Sequence, residues 1–392
     1  MKKILFYIAG IIILILGVWA LLHGVSWYRG IQAKRAQAET IDNIIKARQV
    51  ANTTSDNATD PFGEDGIVRI LLIGLDKRAG QVDGNCDLIQ LATIDKTKQS
   101  VVITAVPRGT YSPLPLGKGA TSSDYYVSNA CGLGGLEYGI KQIEKILGER
   151  ADYVVVVGFS QTLGILRNLK LPTTQTLQWL RERHVYAIGE PQRARDHSTF
   201  LKYLLTKFVP TDISPADEAT QYIMYKTVQT DLSFSETKTL VTTLSAMDLA
   251  NHPERVLLSM RPAHSVQDIQ YIPENLGAYL DATVGPLSNV LSKNDYSGDS
   301  TAETQTQLLK IMADKKSDPD FIVWAWQNNL WLQIEDDQTR LSVQFDFLSS
   351  YLPLVSTTAE RQSIISDYIL EMENRGESRW QELGRGLLSK EI

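Results

Sequence analysis

Residues 69–110 read RILLIGLDKRAGQVDGNCDLIQLATIDKTKQSVVITAVPRGT. Three short apolar, β-branched runs at 68–75, 88–94 and 100–106 are bounded by turn residues such as Asp95-Lys96-Thr97-Lys98, the pattern of consecutive strands. The runs meet charge at their ends: Asp76 and Arg78 after the first, Asp87 before the second, Arg108 after the third. A charge at the end of an apolar run cannot be buried cheaply, so carboxylates and guanidiniums in register at strand ends line a polar cleft. Two acids there can hold a divalent cation, and two arginines can fork onto phosphate oxygens. Phosphoryl chemistry on an anionic substrate is the first expectation, although plain surface charges at strand ends would give the same letters.

Downstream, helical spacing of Leu136, Ile140, Ile143 and Leu147 predicts a helix over 135–147, residues 153–157 read as a buried strand, and Leu163, Leu166 and Leu169 mark a second helix over 159–169. Three strands, helix, strand, helix is the order of an α/β layered domain, whose ligands collect at strand ends next to loops. Arg181 and Arg183 alternate within WLRERH (179–184), so on an extended chain both point the same way, into the cleft or away from it. A helix is expected from Arg193 to about Phe208. Another opens at Ser214-Pro215 and runs to about Val228, and the capping box Ser233-Phe234-Ser235-Glu236 opens one reaching 251. Residues 255–259 read as a strand. The polar, turn-rich segment 292–301 marks a boundary, beyond which 302–315 and 358–382 look helical. The aromatic stretch FIVWAWQNNLWL (321–332) suits a small core, or a docking surface.

At the amino end there is no Asp, Glu, Lys or Arg between Lys3 and Arg29, and 4–27 is apolar for long enough to cross a bilayer as a helix. The expected layout is a membrane anchor at 1–29, a polar helical stalk and linker at 30–66, a catalytic domain at 67–291 and a mainly helical extension at 302–392. Basic residues flank the anchor on both sides, so charge does not decide its orientation. A formal net charge of -6 argues against nucleic acid as the main partner. Cys86 precedes Asp87 and Cys131 lies before Gly134-Gly135, so both are expected to border the cleft; a single bridge between them would suit an extracellular site and be unnecessary inside a cell.

Several separated motifs carry a resemblance. Gly74-Leu75-Asp76-Lys77-Arg78, Cys86-Asp87, Val106-Pro107-Arg108, Gly134-Gly135 before a helix, Arg181-Glu182-Arg183 with Arg193 downstream, and Thr230-Asp231-Leu232-Ser233 occur in the order found in the LytR-CpsA-Psr family of bacterial cell-envelope proteins, which the chain resembles over 68–286. No one motif is specific; the order is. The resemblance implies an α/β/α sandwich with a central mixed sheet, and an enzyme that moves a glycopolymer phosphate from a polyprenyl-pyrophosphate carrier to peptidoglycan or another envelope acceptor. It implies Mg²⁺ on Asp76 and Asp87, pyrophosphate contacts from Arg78, Arg108, Arg181, Arg183 and Arg193, and catalytic roles for Asp76, Asp87 and Arg108. It also implies a cytoplasmic amino terminus with the domain outside, beside the membrane that holds the carrier.

The chain departs from the family at Gly109, where an Asp usually follows Pro-Arg, and at Asp196-His197, which replaces Arg-Gln. Glu190 stands for an Asp, and the connection from 169 to 179 is short and lacks the usual Gly-Gly turn. These departures suit a degenerate relative that binds lipid-linked or phosphorylated glycans as a scaffold, whereas Asp76, Asp87, Arg108 and Arg193 suit the enzyme. A polyphosphate or nucleotide hydrolase is disfavoured, because no GxxxxGK[ST] phosphate loop is present.

Overall fold

The structure is a computed structural model that describes residues 43–48, 60–76, 84–181, 190–211, 215–283, 301–327, 329–334 and 336–391. The expected anchor at 4–27, Arg78, Arg183 and the boundary segment up to residue 300 lie outside them. Among the described residues no helix is long and apolar enough to cross a membrane. Residues 1–44 and 45–392 are separate units, and the second carries everything that follows.

The three expected strands form as β1 (Ile67–Asp76), β2 (Asn85–Asp95) and β3 (Ser100–Ala105). They join β4 (Tyr153–Gly158), β5 (Gln229–Thr230) and β6 (Val256–Met260) in one six-stranded sheet of order β5-β4-β1-β2-β3-β6. The sheet is mixed: β1 pairs antiparallel with β2 and parallel with β4, and β3 pairs antiparallel with β2 and parallel with β6. Because β1, β3 and β4 run the same way, their carboxyl ends and the amino end of β2 share one edge of the sheet. That edge carries Asp76, Asp87 and Arg108.

Alternation along β1 explains why both faces are covered. Val68 and Ile70 look to one side, where they pack with Ile94, Ile103 and Tyr153 against Leu240, Leu244 and Met247. Leu71, Ile73 and Leu75 look to the other side and are equally buried. Full burial of each such side chain is worth about 1.5–3 kcal/mol, so a register slip of one residue would forfeit both cores together. Helices α1 (Val127–Gly134) and α2 (Leu136–Leu147) pack against each other, and α1 also packs on β2. Helices α3 (Phe159–Asn168), α4 (Thr173–Arg181), α5 (Glu190–Phe208), α6 (Pro215–Thr227), α7 (Phe234–Ala246) and α8 (Leu276–Thr283) complete the layers. The fold is an α/β mixed sheet with surrounding helices.

Local signals in the sequence account for several of these elements. The capping box forms, with the Glu236 amide donating to Ser233 Oγ at 3.2 Å and the Ser233 amide donating to Glu236 Oε2 at 2.6 Å. At Gly74 the β1–β2 register shifts, and a Cβ there would lie 2.8 Å from that of Leu88, so the strand can turn its terminal Asp76 only with glycine before it.

Three expectations change. Trp179, Leu180 and Arg181 close a helix, α4, and are not on an extended chain, because Thr176, Trp179 and Leu180 fall on one buried helical face. Helix α5 begins at Glu190, not Arg193, since Pro191 is tolerated in a first turn. The helix expected over 358–382 is two, α12 (Thr358–Asn374) and α13 (Ser378–Leu388), parted at Gly376, whose φ of 72° ends the first.

Helices α9 (Thr301–Lys315), α10 (Pro319–Gln327) and α11 (Asp337–Tyr351) precede these two in the carboxyl-terminal extension. The aromatic stretch is mainly core: Phe321, Ile322, Ala325, Leu330, Trp331 and Leu332 cluster with Met312 and Phe347. The extension is also seated on the sheet domain. Arg167 donates to the Leu332 carbonyl, Gln333 Nε2 donates to Ser160 Oγ at 2.8 Å, and a Cβ at Gly164 would meet Leu332 at 2.6 Å. The end of the expected stalk is likewise held, through Arg48 to the buried Asp231 at 2.7 Å.

Cys86 and Cys131 form a disulfide that ties the start of β2 to α1, closing a sequence separation of 45. In the chain-entropy picture a loop of that size stabilises the fold by about 4 kcal/mol, and measured bridges usually give about 2–4 kcal/mol. The double variant Cys86→Ala/Cys131→Ala is therefore expected to unfold at a lower urea midpoint, with a loss of about 2–4 kcal/mol. A midpoint equal to that of the oxidised parent would show that the bridge is energetically idle.

Candidate active site

The charged edge is assembled by strand register. Asp76 ends β1 opposite Asn85, which starts β2, so Asp87 follows two residues later on the neighbouring strand. The chain leaving β3 stays beside β2, with the Val106 amide donating to the Ile89 carbonyl at 3.1 Å, and this brings Arg108 to Asp87. Helix α5 supplies the remaining groups from its first turn, Glu190 and Arg193.

Four side chains form a ring of alternating charge. Arg108 Nη1 lies 2.5 Å from Asp87 Oδ1 and Arg108 Nε lies 3.7 Å from Glu190 Oε1. Arg193 Nη2 is 3.7 Å from Asp87 Oδ2 and Arg193 Nη1 is 3.6 Å from Glu190 Oε2. Only the Arg108–Asp87 contact has full hydrogen-bond length; the other three are looser and can be exchanged at smaller cost. Asp87, Arg108 and Glu190 are about one-quarter exposed and Arg193 10%, so the ring is partly shielded yet open to a ligand. Burial raises the Asp87 pKa above the ordinary value; Arg108 and Arg193 oppose that rise, while the like charges of Asp76 and Glu190 add to it.

Two carboxylates on adjacent strands, one of them raised by burial and like charge, are a chemically suitable start for a divalent cation. Mg²⁺ commonly takes one or two protein carboxylates and completes its shell with water and phosphate. Among the described residues no group of three or more His, Cys, Asp or Glu forms a fuller cage.

The structure thus brings together Asp76, Asp87, Arg108 and Arg193. Arg181 closes α4 with an exposed side chain and is not part of the ring; Arg78 and Arg183 lie outside the described residues. Glu190 is a site residue that the sequence pattern undervalues. An acid in a helix's first turn, three residues before an arginine, is the signal that could have found it.

Buried amides aim α5. Gln90, in the middle of β2, donates to the Ala194 carbonyl at 2.9 Å and accepts from Ser198 Oγ at 2.7 Å. Gln192 bridges to residue 267, accepting from its amide at 2.9 Å and donating to its carbonyl at 2.8 Å. Arg193 lies between these fixed points. Asp196 and His197 are buried inside α5's packing. His197 donates through Nε2 to the Leu180 carbonyl at 2.8 Å, and burial, reinforced by the charge of Arg193, pushes its pKa down to about 3. It is a neutral packing residue. Asp196 accepts from Gln192 at 2.9 Å through one oxygen, the other is buried without a hydrogen-bond partner, and burial raises its pKa to about 7.

Much of this edge falls within a region shared with known proteins. The profile of the LytR_cpsA_psr family matches residues 27–165, which include Asp76, Asp87 and Arg108. A polyisoprenyl-teichoic acid–peptidoglycan teichoic acid transferase, TagU, of Bacillus cereus is 28% identical over 192 residues, 48% of this chain and 58% of that protein. TagU of Halalkalibacterium halodurans is 29% identical over 172 residues, 42% of this chain and 52% of that protein. The chain therefore spans little more than half the length of these relatives. The crystal structure of TagV of B. subtilis aligns with a TM-score of 0.43 at 15% identity, over 57% of this chain and 99% of that one. The chain is thus similar to the LytR-CpsA-Psr family over residues 27–165.

The buried carboxyl of Asp196 gives a stability prediction with a definite sign. Its pKa is raised in the folded state from 3.8 to about 7, so folding is unpenalised below the unfolded value and loses stability as pH rises towards 7. Asp196→Asn should be more stable than the parent by roughly 1–3 kcal/mol at about pH 7.5, with the gap closing near about pH 4, since a tenfold change in proton affinity corresponds to about 1.4 kcal/mol before relaxation. Urea unfolding at the two pH values measures it; a pH-independent difference would mean that the carboxyl is not held protonated.

Proposed function

We propose that the protein is a membrane-anchored transferase that moves a glycopolymer phosphate from a polyprenyl-pyrophosphate carrier to peptidoglycan or another cell-envelope acceptor, assisted by Mg²⁺. The observation that carries this reading is the ring of Asp87, Arg108, Glu190 and Arg193 at the carboxyl edge of the sheet. Both guanidiniums rest on carboxylates in shallow contact with solvent, and pyrophosphate oxygens can replace those carboxylates with stronger, bidentate partners. Relatives named for transferring teichoic acid to peptidoglycan support the same class of donor and acceptor.

In this mechanism Arg108 and Arg193 bind the pyrophosphate and take up the negative charge that grows on the departing lipid phosphate. The acceptor hydroxyl forms a bond to the sugar-linked phosphorus as the bond to the bridging oxygen breaks. Asp76 and Asp87 would hold Mg²⁺, which supplies charge neutralisation on the phosphate oxygens when bound. Gln90 acts at a distance by keeping α5, and so Arg193, in register with Asp87. Arg78 and Arg183 are proposed as further pyrophosphate contacts.

The anchor at 4–27 would keep this site beside the lipid carrier, with the amino terminus cytoplasmic and the domain outside. The disulfide between Cys86 and Cys131 supports an oxidising compartment. Protease added to intact cells should digest the domain; protection of the whole domain would reverse the topology.

One observation favours a second reading, a binder without turnover. Gly109 stands beside Arg108 where the family has an Asp, and a Cβ there would meet nothing within 4 Å. The site has room for the carboxylate and lacks it. Both readings are tested by incubating the full chain with a polyprenyl-pyrophosphate glycan, Mg²⁺ and peptidoglycan fragments, measuring bound lipid and transferred product separately. Arg108→Ala should weaken lipid binding by about one to two powers of ten, since a charge-assisted contact is worth about 1.5–3 kcal/mol. Transfer by the parent supports the enzyme. Binding without transfer supports the binder, and in that case Gly109→Asp should raise product formation while leaving the folded stability close to the parent's. No binding at all would sink both.

A further inference from the structure

A second cleft lies where the extension meets the sheet domain. Its cavity volume is about 200 Å³, and none of Asp76, Asp87, Arg108, Glu190 or Arg193 lines it. Helices α3 and α6 form one wall, and α10, α11, α12 and the turn after α10 form the other.

The charges in this cleft answer one another. Lys226 pairs with Asp367 at 3.2 Å and Arg375 with Glu371 at 2.8 Å. The second oxygens are taken too: Tyr222 donates its hydroxyl to Asp367 Oδ1 at 3.1 Å, and Gln344 Nε2 donates to Glu371 Oε2 at 2.8 Å. Among the lining residues no cation is left over to attract phosphate. What the cleft offers is apolar surface with unused neutral hydrogen-bonding groups. Half-buried Trp326 lies against Trp331, with ring centroids 4.9 Å apart, and Ile223, Leu332 and Ile364 extend the apolar wall.

Two lining side chains carry polar atoms without a protein partner. Gln344 is 2% exposed and its Oε1 accepts nothing; Tyr368 is 3% exposed and its hydroxyl is unpaired. Burying such a group unsatisfied costs about 1–3 kcal/mol, so a partner delivered through the cleft would be strongly favoured. The partner must supply both an acceptor and a donor, carry no net charge, and present an apolar face to indole. A sugar ring meets all these terms, with hydroxyls at its rim and C–H groups on its faces.

We propose that this cleft binds an uncharged oligosaccharide segment, which packs on the Trp326 side of the apolar wall and hydrogen-bonds to the Tyr368 hydroxyl, Gln344 Oε1 and exposed Asn168. The proposal does not rest on transferase activity, because the ligand it names carries no pyrophosphate. In a chain with a phosphate-handling edge on the sheet, such a cleft would hold a neutral stretch of glycan away from the reacting end.

The test uses the full chain in detergent, titrated by calorimetry and tryptophan fluorescence with two neutral probes, a tetramer of β-linked N-acetylglucosamine and maltotetraose, and with inorganic phosphate. At least one neutral probe should bind, with inorganic phosphate failing to displace it. Tyr368→Phe should weaken that binding roughly five- to tenfold, the effect of one lost hydrogen bond, while leaving thermal stability unchanged or raised. Asn168→Ala, at an exposed helix end, should weaken it without touching the core. A purely structural Tyr368 would leave affinity untouched. Failure of both neutral probes to bind at millimolar concentration, displacement by phosphate, or full affinity in both variants would each overturn the proposal.

Discussion

The antiparallel pairing of β1 with β2 is the constraint on which the rest depends. Its register sets Asp76 opposite the first residue of β2, and the bulge after Gly74 lets the two acidic ends approach without breaking the ladder below. The same register sends Leu71, Ile73 and Leu75 to one core and Val68 and Ile70 to the other. A slip of one residue would empty both cores and scatter the site, so the energy that selects the fold also selects the charge arrangement.

The charges at that edge are stable because they alternate. Burying the Arg193 guanidinium, with 10% of its side chain exposed, would be costly without Asp87 and Glu190 beside it. The counter-charges are drawn from three elements, the start of β2, the chain beyond β3 and the first turn of α5. The sheet core and the buried amides of Gln90 and Gln192 keep those elements in place. A site built this way is preorganised for anions, since its cations already stand at fixed positions and only their partners change.

The extension adds a second surface of different character. Its aromatic stretch is spent mostly on an internal core, yet the turn after α10 reaches the sheet domain through Leu332, against a helix kept bare at Gly164. Two buried polar atoms left without partners at this junction are unusual for packed interiors, and they occur where the cleft admits a ligand. The charged edge and the neutral cleft divide two kinds of recognition between separate parts of one chain.

Local pattern alone was enough to determine five of the six strands, the capped helix at Ser233 and the residues that would carry charge at strand ends, because apolar periodicity and capping act over a few residues; the two-residue β5 is too short to leave such a pattern. The sequence also carries Asp76, Asp87, Arg108 and Arg193 in an order that resembles the LytR-CpsA-Psr family. It could not show that Glu190 closes the ring, that Arg181 ends a helix outside it, or that Asp196 and His197 turn inward and serve packing. Nor could it show that Cys86 and Cys131 lie close enough to bond, or that α3 and α12 face each other across a cleft. Those facts depend on groups brought together from far apart in the chain, whose partners and desolvation exist only once the sheet and the extension have packed.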